Sequence, residues 1–369
     1  MSNIKNIEEG RLTEFKIEIL DRFPKTFKNY YDEKEKTSRK QTLQRHLNEM
    51  KALAEYKFLE DLEDEIGYIP PIKEYYRPNP CVKRDIGSWK TGPVRQSSEM
   101  NIEDVVEIFL KSENKVLLLA ADFGTGKTTA SRILASKYAE DFGKVNSNNY
   151  IPVFLKLVKI SKDDIKSKLD EIMMTKYQKI LLILDGLDEI TSEERDRIIS
   201  FVSECRNSYP NIKIIITTRF GIYLDESEDK FFRNIGLEQL GHFYQLMPLT
   251  EELAENMLEK LGGLSLDEVR KLGISEEEYT KPIYLYLLWV LKKAGRLEKL
   301  RGYGKSGIYL ALTNLVSRYK AKCVKDKEIK LEERKDKKAR NVLIHIAVLR
   351  TIFESEELSK GGDRRVSER

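Results

Sequence analysis

The stretch KVLLLAADFGTGKTTA, residues 115–130, governs the reading of the whole chain. It opens as an apolar run, KVLLLAA, turns through two glycines, and continues in a helical pattern from Lys127. Phosphate oxygens need backbone N–H donors at close range, and Gly124 and Gly126 leave room for that approach. A helix N-terminus adds partial positive charge at the same point. In this turn Asp122, Phe123, Gly124, Thr125, Gly126, Lys127, Thr128 and Thr129 are the candidate nucleotide-binding residues. Lys127 would reach the β- and γ-phosphates, and the Thr128 hydroxyl would ligate Mg²⁺. The phosphate-loop pattern has glycine six residues before the lysine, whereas this chain has Ala121. Alanine fits there at negative φ and costs about 1–2 kcal/mol in a left-handed conformation.

Working outward, residues 115–250 alternate short apolar runs with helical stretches. The runs are 115–121, 150–157, 179–185, 212–218 and 243–249. LLILD and IIITT show no polar alternation, which implies strands buried on both faces of a parallel sheet. Helical stretches such as 127–138 and 192–206 supply the crossovers, and Thr191 with Glu194 forms a capping-box pattern before the second. The expected fold class is α/β, a three-layer αβα sandwich.

Two further motifs fall at strand ends. In KILLILDGLDEI, 179–190, Asp185 closes a buried strand, where ligands bind in open α/β sheets. A carboxylate there holds Mg²⁺ through water, with Asp188 and Glu189 following within reach of an attacking water. In IITTRF, 215–220, Arg219 follows another buried strand and is placed to touch a γ-phosphate. Together the three motifs point to binding and hydrolysis of a Mg²⁺–nucleoside triphosphate.

The flanks differ in character. Leu43, Leu47, Met50, Ala54, Phe58 and Leu62 recur at three or four, predicting one helical stripe over 42–62. Residues 66–100 are rich in proline and glycine (GYIPPIKEYYRPNP, DIGSWKTGPV) and read as an irregular connector. Residues 102–111 read as a short helix. Beyond 250 helical periods replace strands: 251–261, 265–272, 282–294, 308–319 and 338–353. The segment 319–340 carries ten Lys or Arg against five Asp or Glu, a mixed run typical of a solvated surface.

Composition narrows the function classes. The chain has 369 residues with 65 Lys and Arg against 61 Asp and Glu, a net charge of +4. That balance gives no electrostatic footprint for nucleic acid, and none is expected as a partner. The longest apolar run, 283–291, is far short of the about 20 residues of a membrane span. The start, MSNIKNIEEGR, has no apolar stretch, so no secretory leader is expected. Three widely spaced cysteines fit neither a disulfide framework nor a zinc site, and a cytoplasmic setting is expected.

The set ADFGTGKTT (121–129), ILLILDGLDE (180–189) and IITTR (215–219) resembles the NACHT branch of the STAND signalling ATPases. YIP at 68–70, LMPLTEE at 246–252 and KARNVLIHIAVLRTIF at 338–353 also look like that family. The resemblance implies a P-loop NTPase with strand order 5-1-4-3-2, then a helical domain and the start of a winged helix. The resemblance covers roughly residues 66–360, and with the patterning it divides the chain into a helical N-terminal segment of unknown role (1–65), a connector (66–110), a NACHT-like NTPase domain (111–250), a helical domain (251–337), and the winged-helix start with a polar tail (338–369). It implies that Thr128 and Asp185 manage Mg²⁺, Asp188 and Glu189 position water, and Arg219 senses the γ-phosphate. Pro282, in TKPIYLYLLWVL, matches the proline that packs on adenine in that family, although Thr280 stands where glycine is frequent. None of His46, His242 and His345 is assigned a role. The function implied is an ATP/ADP-binding switch with slow hydrolysis, self-associating in the ATP state and answering an unknown trigger or sensor, in roles such as defence against phage. An AAA+-type motor acting on nucleic acid or protein shares these motifs and is the alternative.

Overall fold

The computed structural model describes residues 26–84, 100–145, 149–173, 177–219, 242–300, 307–309, 311, 312 and 315. The helix expected over 338–353, the basic segment 319–340 and His345 lie outside the described residues, as does most of the helix expected over 308–319.

Seven strands build one sheet: β1 (Pro80–Lys83), β2 (Met100–Asn101), β3 (Val116–Ala120), β4 (Ile151–Lys156), β5 (Ile180–Asp185), β6 (Ile212–Thr218) and β7 (His242–Leu246). Their order is β2-β1-β7-β3-β6-β5-β4. The five strands from β7 to β4 are parallel and follow the expected order 5-1-4-3-2. Every residue of β3, β5 and β6 is buried, as an apolar run without alternation requires. Of the two charged members, Asp185 and Lys213, the lysine donates to the carbonyls of Phe109, Ser112 (2.6 Å) and Asn114 (2.5 Å). Burial lowers its pKa, and those carbonyls at a helix end receive its three hydrogens.

The connector departs from the sequence reading. β1 pairs antiparallel with both β7 and β2, so the sheet is mixed and takes in residues 80–83 and 100–101. Strands of four and two residues carry too little periodicity to stand out between prolines. They cover the edge of β7 that would otherwise expose unpaired backbone groups.

Strand residues alternate between two apolar layers. Leu118, Leu182 and Ile214 face α4 (Lys162–Ile172) and α5 (Ser192–Ser208). Leu117, Leu181 and Ile215 face α1 (Thr26–Ala52), α2 (Ile102–Lys111) and α3 (Lys127–Asp141). Both sheet faces are therefore covered, giving three layers. The capping box of Thr191 and Glu194 forms at the start of α5.

The stripe expected over 42–62 is corrected by the structure. Leu47 and Met50 lie on α1, but the α-helix ends at Ala52 and Leu59 takes a left-handed φ of 60°. Phe58 and Leu62 then join a third cluster instead. That cluster is built by α6 (Glu251–Leu261), α7 (Leu266–Arg270) and α8 (Pro282–Lys293). In α8 all residues from 284 to 291 are buried, a helix apolar on every side. Trp289 Nε1 donates to the carbonyls of Leu261 (3.0 Å) and Gly262 (2.9 Å), which end α6. Among the described residues no helix is long and apolar enough to cross a membrane.

Candidate functional site

The loop after β3 turns tightly because two glycines permit it. Gly124 has φ +79°, and a Cβ there would fall 2.4 Å from Ile283 Cγ2. Gly126 has φ +104° and caps α3. Ala121 does not need glycine's freedom: it is fully buried, and Leu59 and Asn149 are the non-glycine residues at positive φ among those described. Its N–H donates to Thr218 O at 3.1 Å, extending the pairing of β3 with β6. The Thr125 hydroxyl donates to Asp122 O (3.0 Å), which closes the turn.

Lys127 curls over this loop. Its Nζ donates to Ala121 O (2.7 Å) and Asp122 O (3.3 Å). Burial pulls its pKa below the usual lysine range; Asp188 opposes the shift, Arg219 adds to it, and Asp185 and Asp122 oppose it. The ammonium is poorly hydrated and lies on two neutral carbonyls. An anion arriving there exchanges weak partners for a strong one.

Thr128, on the first turn of α3, donates to Asp185 Oδ2 at 2.7 Å. Thr217 donates to Asp185 Oδ1, also at 2.7 Å, while Gly186 N–H donates to the Thr217 hydroxyl at 2.9 Å. Asp185 is buried and held by two hydroxyls. The oxygen set of one hydroxyl and one carboxylate fits Mg²⁺, which keeps several waters and takes further ligands from substrate phosphates. Among the described residues no three His, Cys, Asp or Glu gather to hold a metal by themselves. Thr128 and Asp185 are the residues that would hold it.

Beyond Asp185 the chain turns left-handed at Gly186, φ +84°. Asp188 Oδ2 pairs with Arg219 Nε at 2.8 Å, with the Asp188 side chain 3% exposed. Asp188 Oδ1 is buried without a hydrogen-bond partner. Glu189 Oε2 pairs with Lys156 Nζ at 3.2 Å. The guanidinium of Arg219 also lies 5.5 Å from the Phe123 ring centroid, a cation–π contact that ties it to the phosphate loop.

The helical cluster closes on the loop. Ile283 N–H donates to Gly124 O at 3.3 Å. Pro282 is the first residue of α8, and its Cγ lies 3.8 Å from where a Cβ on Gly126 would stand. From the other direction Asn79, 1% exposed, donates from Nδ2 to Thr125 O and Met247 O, both at 3.0 Å.

All the candidate residues thus stand at the C-terminal edge of the parallel strands or on the loop and helix facing it. Thr129 sits half-buried on the first turn of α3, and Asp122 is exposed at the loop's start. Asn79, Lys156 and Thr217 were not singled out by sequence. Thr217 lies inside IITTR, and its position one residue from a buried strand's end was the available signal. Asn79 acts from just before β1 and Lys156 from the end of β4, and only the fold brings them in.

Residues 100–260 match a family model described as Novel STAND NTPase 3. The match supports a STAND-type P-loop NTPase. No curated protein matches the chain. Among solved structures, the Walker-type ATPase of Pyrococcus abyssi is similar at 11% identity and TM-score 0.40, over 61% of this chain and 75% of that one. Domain III of the replication initiation protein DnaA from Thermotoga maritima is similar at 14% identity and TM-score 0.36, over 58% and 90%. Drosophila ORC bound to DNA is similar at 12% identity and TM-score 0.35, over 69% and 86%.

Proposed function

We propose that this protein is an ATP- and ADP-binding switch that hydrolyses ATP slowly, of the NACHT kind within the STAND NTPases. The observation that carries this reading is the seating of α8 on the phosphate loop, through Ile283 N–H on Gly124 O and Pro282 beside Gly126. The helical cluster touches the loop that would hold the phosphates, so the nucleotide's state and the cluster's position are coupled through shared atoms. Asp188 and Arg219 add a second coupling: a γ-phosphate competes with the Asp188 carboxylate for the guanidinium.

In this reading Lys127 and the N–H groups of residues 124–129 bind phosphate, and Pro282 packs on adenine. Thr128 and Asp185 would hold Mg²⁺, which supplies charge neutralisation between the β- and γ-phosphates when bound. Asp188 and Glu189 orient the attacking water, and Arg219 reads the γ-phosphate. The five regions given by sequence serve as the working division, with the cluster of α6, α7 and α8 as the moving part. Inverting a closed population from 99:1 to 1:99 takes about 5.5 kcal/mol of differential binding. One γ-phosphate contact set supplies part of that, and a trigger of unknown identity supplies the rest. Self-association in the ATP state and a role in defence rest on the resemblance.

The test is turnover and mass measured together. Purified protein is expected to hydrolyse ATP well below about one per second and to gain mass by light scattering with a non-hydrolysable ATP analogue, not with ADP. Untriggered turnover on the order of ten per second, with one mass in both nucleotides, would favour a motor.

A further inference from the structure

The two acids after Gly186 are drawn in opposite directions. The sheet order places β6 between β5 and the strand that carries the phosphate loop, and places β4 on the far side of β5. Asp188 pairs with Arg219, just past β6, and so stays on the loop's side. Glu189 pairs with Lys156, the last residue of β4, and so is drawn to the other side. In the parallel register Lys156 stands opposite Asp185 itself.

The path of the Glu189 side chain agrees. It folds back across Gly186, where a Cβ would come within 3.1 Å of Glu189 Cδ and 3.3 Å of its Cγ. Lys156 and Glu189 are both about one-third exposed, at 35% and 34%, so the pair is open enough to part without burying a charge.

We propose that Lys156 is a positioning residue that holds Glu189 back toward β4, away from the attacking water, and that this ion pair keeps hydrolysis slow. The inference rests on the switch reading of the same site. When the pair opens, the Glu189 carboxylate swings toward the phosphates and takes a proton from water. The water oxygen bonds to the γ-phosphorus as the bond to the β,γ-bridging oxygen breaks, and ADP leaves with that bond's electron pair. Lys156 touches neither water nor nucleotide; it sets where the base stands.

The experiment compares Lys156→Met, which keeps length and loses charge, with Lys156→Gln and Lys156→Arg. Both neutral variants are expected to raise kcat on the order of tenfold, with KM changed less than about twofold. Lys156→Arg keeps the cation and is expected to stay slow. In Lys156→Met with Glu189→Gln the gain is expected to vanish, which a change in structure alone would not produce. A kcat at or below the parental value in the neutral variants overturns the proposal, as does a gain that survives Glu189→Gln. Loss of the parental melting temperature in both neutral variants makes Lys156 a structural residue and also overturns it. Calorimetry with ADP on the same preparations separates the two readings. A parent that binds no nucleotide sinks the switch; a parent that binds, beside neutral variants that bind equally but turn over no faster, sinks only the role of Lys156.

Discussion

Gly124 shows how one residue joins loop shape to domain contact. Its φ of +79° is left-handed, and its missing Cβ is the space occupied by Ile283 Cγ2. In Gly124→Ala the backbone costs about 1–2 kcal/mol, and the methyl group displaces α8 from the loop. The expected result is a lower melting temperature together with weaker ADP binding by calorimetry. Adding Ile283→Ala should recover the steric part and leave the backbone part. A Gly124→Ala protein that melts and binds as the parent would show that the loop and α8 do not bear on each other. Most of the candidate site was legible at this scale because its motifs are local in sequence. Asp185 and Arg219 sit where buried strands end, as hydrophobic patterning marks, and Lys127 and Thr128 open the helix that follows the glycine turn. The partners that hold them were not legible. Lys156 reaches Glu189 from β4, and Asn79 reaches Thr125 from just before β1, the strand beyond β7. Charge or amide groups at such distances in sequence meet only once the strand order is known.

At the scale of elements, α1 is fixed to the sheet by a buried histidine. His46, 1% exposed, shares a hydrogen with Pro152 O at 2.8 Å through Nε2, on edge strand β4. Its Nδ1 is buried without a partner. Burial lowers the His46 pKa below 6.5; the Pro152 carbonyl opposes this, Lys168 adds to it, and Glu49 and Glu171 oppose it. A base whose folded pKa is depressed adds stability above its unfolded value and loses it as pH falls toward the folded one. The melting temperature is therefore expected to drop as pH is lowered from about 7.5 to about 5.5, and His46→Gln should flatten that slope. Equal slopes in parent and variant would mean that His46 titrates alike folded and unfolded. The elements themselves were unevenly legible. The five parallel strands stood out because burial on both faces writes uninterrupted apolar runs. The end of α1 at Ala52 did not, because spacing at three and four continues through Phe58 and Leu62 while the chain has already left the helix for another cluster. Periodicity reports which residues are buried, not against which neighbours.

At the scale of the molecule, three apolar clusters meet around one strand edge. Two lie on the faces of the sheet and the third belongs to the helical part, which reaches the phosphate loop through Phe123 and Ile283. In the proposed reading a ligand on that loop would touch the sheet and the helices at once, and its binding energy would be divided between holding the site and holding the helical part against it. The most direct measurement is the nucleotide content of natively purified protein, released by denaturation and identified by mass spectrometry, with Lys127→Ala prepared in parallel and both titrated with ADP by calorimetry. The account expects ADP or ATP in the parent, none in Lys127→Ala, and an unchanged fold by circular dichroism in both. A parent that carries no nucleotide and shows no heat with ADP or Mg²⁺–ATP, or a Lys127→Ala protein that binds as tightly as the parent, would contradict it.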